Sequence, residues 1–273
     1  MGKFDGILMA SDLDNTLLCT DKSISQKNLR AIERFEAEGG LFSFVTGRPP
    51  VAMAPVLEQL RPKIPYGCLN GGGVYDPDTQ SFISRTELSR EAFELVEYVA
   101  QVLPTVGFEL LTFETSYLYR SNEVTEELRR FERLPDNYVD SLDIPGTLCK
   151  ILFGEKSERI PELMRVVESH PKSRDYTVLR TAEEYYELLP KGCNKGKGLL
   201  ELAKYLGIDP RRTIALGDNS NDAPMLQVAG LGIAVKNANE EAKSLADLTL
   251  PVTNDEDAIA YVVEALEDGR LSV

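Results

Sequence analysis

The chain has one histidine, His170, and no pair of cysteines spaced to act together. His170 precedes Pro171 in what reads as a turn, so neither a Ser/His/Asp nor a Cys/His mechanism finds a well-placed base. Cys19, Cys68, Cys149 and Cys193 match no CxxC spacing, and nothing else suggests the disulfide framework of a secreted chain, so a reducing cytoplasm is the expected location. Positive charge is also short: 30 Lys and Arg against 44 Asp and Glu give a formal charge of -14. Phosphate backbones are held by clustered Lys and Arg, so no nucleic-acid partner is expected. Long hydrophobic runs are missing too. The N-terminal apolar run is interrupted by Asp5 and Asp12, and the charge-free stretch from Ala223 to Val235 is too short to span a bilayer, which excludes a membrane partner.

What is present is the profile of a globular chain: 273 residues, 42% hydrophobic and 27% charged, enough for one large or two modest domains. Near-continuous apolar runs at 7–10, 41–45, 66–69, 213–216, 231–235 and 248–250 read as strands of a parallel sheet covered on both faces, which makes the fold class α/β. Helical stripes lie between them, among them Leu199, Leu202, Ala203, Leu206 and Ile259, Val262, Val263, Leu266, the second preceded by a capping-box pattern of Thr253 and Glu256. "DPDTQ" (76–80) predicts a turn between two short strands. Residues 85–188 differ. A helix with Phe93, Val96, Val99 and Leu103 precedes two antiparallel strands within 108–120, further helices near 124–134 and 158–169, and strands at 148–153, 176–180 and 185–189. This is an α+β block inserted in an α/β core of residues 1–84 and 189–273. Phe108, Phe113, Tyr117 and Tyr119 read as core of that block, and Lys150, Arg120 and Arg180 as its candidate substrate-facing charges.

Four predicted core strands end in polar residues: Asp12, Thr46 of "VTGR", Asn70 of "LNGGG" and Asp218 of "LGDNSND". Open α/β sheets bind ligands at the carboxyl edge of their strands, and the glycines at 47, 71, 72, 73 and 217 allow close backbone approach there. Asn194 predicts an N-cap with Lys195 at the first helical position, where free N–H groups and the helix dipole favour an anion. Asp12 and Asp14, one residue apart, would repel. Asp12 and Asp218 supply two negative charges and a phosphate monoester about two more against Lys195, so a divalent cation is needed, and Mg²⁺ suits hard oxygen ligands with phosphate. A protonated Asp14 could then donate to a leaving oxygen and later accept a proton from water.

These residues resemble the haloacid dehalogenase-like phosphatase superfamily, whose four motifs are matched by "DLDNT" (12–16), "TGR" (46–48), "NKG" (194–196) and "GDNSND" (217–222). The later pattern Lys195-Gly196, Met225-Leu226, Ala229-Gly230, Asn237-Ala238 and Ala246-Asp247 is similar to the Cof-type sugar-phosphate phosphatases. The resemblance implies a Rossmann-like core with a type IIB cap in the inserted block. It implies Asp12 as the nucleophile that becomes an aspartyl-phosphate and Asp14 as general acid/base. Thr46 and Lys195 would hold phosphate with Asn221 and the backbone at Leu13 and Gly47. The Asp12 and Asp218 carboxylates and the Asp14 carbonyl would bind Mg²⁺, with Asp222 nearby; Arg48 and Asn70 are further candidates for substrate or supporting contacts. Asn15 stands where the superfamily most often has glycine, and Asn tolerates a left-handed backbone. The implied activity is hydrolysis of small phosphorylated metabolites. A phosphosugar mutase with the same nucleophile and a non-catalytic sugar-phosphate binder are the alternatives; both aspartates argue against the binder, and Asp14 against dehalogenation.

Overall fold

A computed structural model of the chain describes residues 2–273. The chain runs through β1 (Leu8–Ser11), α1 (Gln26–Ala37), β2 (Leu41–Phe44), α2 (Ala54–Leu57), β3 (Tyr66–Cys68), β4 (Gly73–Asp76) and β5 (Ser81–Arg85). It continues through α3 (Ala92–Val102), β6 (Gly107–Thr112), β7 (Ser116–Tyr119), α4 (Glu123–Glu132), β8 (Tyr138–Val139), β9 (Leu148–Gly154), α5 (Ile160–Ser169), β10 (Tyr176–Arg180) and β11 (Tyr185–Pro190). It closes with α6 (Lys195–Leu206), β12 (Thr213–Gly217), α7 (Ala223–Val228), β13 (Leu231–Ala234), α8 (Glu240–Leu245), β14 (Leu248–Thr249) and α9 (Ala258–Glu267). Two compact units result. The first comprises the residues up to Gly47, Val56–Arg85 and Asn194–Val273; the second comprises Arg48–Pro55 and Thr86–Cys193.

The first unit is built on a parallel sheet in the order β14-β13-β12-β1-β2. Leu8, Met9 and Ala10 of β1 and Ile214, Ala215 and Leu216 of β12 are fully buried, as strands covered on both faces must be. The run at 66–69 ends differently from its expected place in this sheet. Tyr66–Cys68 pairs antiparallel with β4, which pairs with β5 around the predicted 76–80 turn, and meets the parallel sheet through a single bridge between Val45 and Gly67. Pro65 has no N–H to extend a ladder, and its carbonyl is taken by the Ser43 hydroxyl at 2.7 Å. The Thr253/Glu256 capping box also lies one step from its expected place, on a 3₁₀ turn at Asn254–Glu256, while α9 starts after Asp257 in a left-handed conformation.

In the second unit a mixed sheet runs β10-β11-β9-β6-β7-β8, antiparallel except between β7 and β8. Strand alternation places Phe108, Leu110, Ile151, Phe153, Tyr186 and Leu188 in one apolar cluster with residues of α3 and α5, and Tyr117 and Tyr119 pack on it. No helix among the described residues is long and apolar enough to cross a membrane.

Gly71 and Gly198 are where the β3–β4 connection meets α6. A Cβ on Gly71, at φ +80°, would lie 1.9 Å from the Asn194 carbonyl oxygen, whereas Gly207, at φ +68°, has open space around it. Forcing a side chain into left-handed backbone costs roughly 1–2 kcal/mol, and only Gly71 adds a collision with backbone. Gly71→Ala is therefore expected to lose about 3 kcal/mol or more in urea unfolding, and Gly207→Ala about 1 kcal/mol; equal losses would contradict the close approach.

Candidate active site

The last rung of the central ladder fixes Asp12: its N–H donates to the Leu216 carbonyl at 2.9 Å. The chain then folds back on itself, the N–H groups of Thr16 and Leu18 both reaching the Leu13 carbonyl at 3.4 and 2.8 Å. Asn15 makes this turn at φ +58°, the left-handed conformation that Asn accepts best among non-glycine residues. After β2, the Thr46 N–H donates to Gly67 and the Thr46 carbonyl accepts from the Asn70 N–H, each at 3.0 Å. Leu69, Asn70 and Gly71 follow at φ +54°, +50° and +80°, three consecutive left-handed residues. Strain of this kind persists only where the surroundings over-determine it, and it concentrates at functional sites. Here it buries the Asn70 amide, whose Oδ1 accepts from Asn221 Nδ2 at 3.1 Å. A Cβ at Gly47 would come within 3.0 Å of Asn70 Nδ2, so the glycine leaves room for that amide.

Asn194 caps α6, its Oδ1 accepting from the Lys197 N–H at 2.9 Å, and Lys195 occupies the first helical position as its sequence context predicts. The Lys195 side chain is fully buried. Its Nζ donates to Asp12 Oδ1 and to Asp222 Oδ1, at 2.5 Å each. The other Asp222 oxygen accepts from the N–H groups of Asp218 and Asn219, both at 3.0 Å, so Asp222 ties the loop after β12 to the lysine. Gly217 permits this: a Cβ there would lie 2.4 Å from the Asp222 Cβ. Asp218 Oδ1 accepts from the Thr16 hydroxyl at 3.1 Å.

Asp12, Asp218 and Asp222 thus bring carboxylate oxygens within 4.8 Å of one another. Burial first, and Asp222 next, push the Asp12 carboxyl well above its ordinary value despite Lys195. The same causes raise Asp218 to about 7. Burial alone would lower Lys195; Asp12 and Asp222 outweigh it and hold the ammonium above its usual range. Three carboxylates against one ammonium leave the group short of positive charge. The donor set is one that hard divalent cations take: both Asp222 oxygens are engaged by protein donors, whereas Asp12 and Asp218 each have an oxygen outside those bonds.

Asp14 points elsewhere, its Oδ1 2.9 Å from the Lys22 ammonium. Arg48 is buried and its guanidinium lies 5.6 Å from the centre of the Phe131 ring, both residues in the second unit. Of the charges read as substrate-facing, Arg120 donates to the Ala100 carbonyl, Arg180 to those of Ala182 and Glu183, and Lys150 pairs with buried Glu187 at 2.8 Å. Three supporting residues were not anticipated. Thr16 closes the matched "DLDNT" motif but was given no role there, and Lys22 carries no positional signal beyond its nearness to the paired aspartates. Asn239 holds Asn219 and Ser220 through its Nδ2 and donates its backbone N–H to the Asp218 carbonyl at 2.8 Å; its place before Glu240-Glu241 marks it only as the N-cap that it also is.

The chain belongs to the haloacid dehalogenase-like hydrolase family, whose model matches residues 9–263. Among relatives, a phosphatase, YwpJ of Bacillus subtilis, is 29% identical over 95% of this chain and 99% of its own length. The 5-amino-6-(5-phospho-D-ribitylamino)uracil phosphatase YwtE of the same organism is 29% identical over 96% and 98%. A solved structure described as a subclass IIB sugar phosphatase of this superfamily shares the fold with a TM-score of 0.81 at 20% identity, over 97% of this chain and all of the other.

A cation that ligates Asp218 must displace its proton wherever the carboxyl is protonated, so the raised value makes binding pH-dependent. Calorimetric titration with Mg²⁺ or Mn²⁺ is expected to show affinity rising by about tenfold or more per pH unit below about pH 7, because Asp12, whose carboxyl is also raised, must give up its proton too. A flat profile would contradict this donor set.

Proposed function

We propose that the protein is a phosphatase that releases phosphate from small phosphorylated metabolites, sugar and polyol phosphates foremost, with Mg²⁺ and an aspartyl-phosphate intermediate. The observation that carries this reading is the buried Lys195 clamped between Asp12 and Asp222 beside Asp218. Family membership, relatives named as phosphatases and a relative named for a phosphoribityl compound support it.

In this reading the Asp12 oxygen not bonded to Lys195 attacks phosphorus: a carboxylate O–P bond forms as the P–O bond to the leaving group breaks. Two of the three Lys195 ammonium protons are taken by carboxylates, and the third serves a phosphoryl oxygen together with Thr46, Asn221 and the N–H groups of Leu13 and Gly47. Asn70 steadies Asn221 in that corner. Asp14 gives its proton to the departing oxygen, and then takes one from the water that attacks the aspartyl-phosphate, which returns both aspartates to their starting state. Mg²⁺, held by the Asp12 and Asp218 carboxylates and the Asp14 carbonyl, would offset phosphoryl charge. Asp222 acts one step back by fixing Lys195 and the 217–219 backbone.

Phosphate release should be measured from a panel of sugar phosphates, nucleotides and p-nitrophenyl phosphate, with and without Mg²⁺. Turnover is expected to require the metal and to fall by on the order of a thousandfold or more in Asp12→Asn. Undiminished release from that variant, or an isomerised sugar phosphate in place of free phosphate, would overturn the proposal.

A further inference from the structure

We infer that Lys22 is a positioning residue for the reaction, holding the Asp14 carboxylate where it exchanges its proton with the leaving oxygen; this rests on the role given above to Asp14. Two observations meet here. The ammonium of Lys22 lies 2.9 Å from Asp14 Oδ1, and Lys22 has a left-handed backbone at φ +67°, uncommon for a side chain of its length.

The loop that presents it is closed on several sides. Its own ends join through the Lys22 N–H to Cys19 and the Cys19 N–H to Ser23, both at 2.8 Å. The Asp21 carboxylate accepts from the Ser23 N–H at 2.9 Å and from its hydroxyl at 2.5 Å. Gln59 clasps the far side, donating to the Lys22 carbonyl at 3.1 Å and accepting from the Ile24 N–H at 2.8 Å. Asp255 receives the Thr20 N–H and hydroxyl, each at 2.7 Å.

Side chains about one-third exposed, as Lys22 and Asp14 are, form ion pairs that contribute little to stability. The ion pair itself therefore adds little to stability. Its effect is on geometry. With Lys22 drawing it outward, Asp14 stays out of the Asp12, Asp218 and Asp222 group that suits a cation. Each aspartate of the pair thus has its own lysine: Lys195 holds Asp12 and Lys22 holds Asp14. In the first step the proton on the Asp14 oxygen that Lys22 does not hold goes to the ester oxygen as that oxygen leaves phosphorus, and the Lys22 ammonium stabilises the carboxylate that remains.

The test compares kcat/KM of wild type, Lys22→Met and Lys22→Arg with Mg²⁺ on two substrates. One is p-nitrophenyl phosphate, whose phenolate leaves without a proton; the other is the sugar phosphate that wild type turns over fastest. Lys22→Met is expected to lose about tenfold or more on the sugar phosphate, within the range spanned by general acid catalysis, and less than about threefold on the aryl phosphate. Lys22→Arg is expected to recover most of the loss. Equal losses on both substrates, no loss on either, or failure of Lys22→Arg with an unchanged melting temperature would overturn the inference alone. A wild type that hydrolyses neither substrate would overturn the phosphatase reading, and the inference with it.

Discussion

A single buried ammonium decides where three parts of the chain must go. Lys195 comes from the first turn of α6, Asp12 from the end of β1, and Asp222 from the loop after β12, and they meet at 2.5 Å with almost no exposure to water. Burying charge is costly unless it is paired, and removing one partner of such a pair typically costs about 3–5 kcal/mol. Sheet, helix and loop are therefore held to one another by a penalty that any slippage would incur. Asp222 extends the constraint, because its second oxygen takes two backbone N–H groups and so fixes the loop that carries Asp218.

Close backbone approach makes that meeting possible. Gly71 lies against the carbonyl of the α6 N-cap, Gly217 against Asp222, and Gly196 against the Pro224 carbonyl, where an added Cβ would come within 2.5 Å. The acidic group that results is electrostatically incomplete. Its Asp12 and Asp218 carboxyls sit above their usual range because burial and mutual repulsion exceed what one lysine offsets. Added positive charge would stabilise such a group.

Much of this was legible in the residues. Uninterrupted apolar runs mark strands covered on both sides, and the polar residues that end them, Asp12, Thr46 and Asp218, mark the edge where ligands gather. Asn194 before Lys195 is readable as a cap because its side chain needs only local backbone. What was not legible depends on contacts distant in sequence. Tyr66–Cys68 has the composition of a buried parallel strand, yet its ladder is decided by the partners that β4 and Pro65 leave it. Arg120 looks like a ligand-seeking charge, but it donates to the distant Ala100 carbonyl. The strain at 69–71 shows in Gly71 alone, since Leu69 and Asn70 adopt left-handed backbone only because the fold compels them.

The nesting of one unit within the other also sets an order of assembly at the ribosome. Thr86–Cys193 is continuous, so the sheet and helices of the second unit are all in hand once residue 193 has emerged. The first unit is not so placed. β1 lies between β2 and β12, and β12 begins at Thr213, so its earliest strand waits beside an empty position while the whole insertion is synthesised. Domains tend to fold as units as the chain emerges. Here the inner unit can finish first, and Lys195, two residues beyond its end, is the first member of the buried ion cluster to arrive after it.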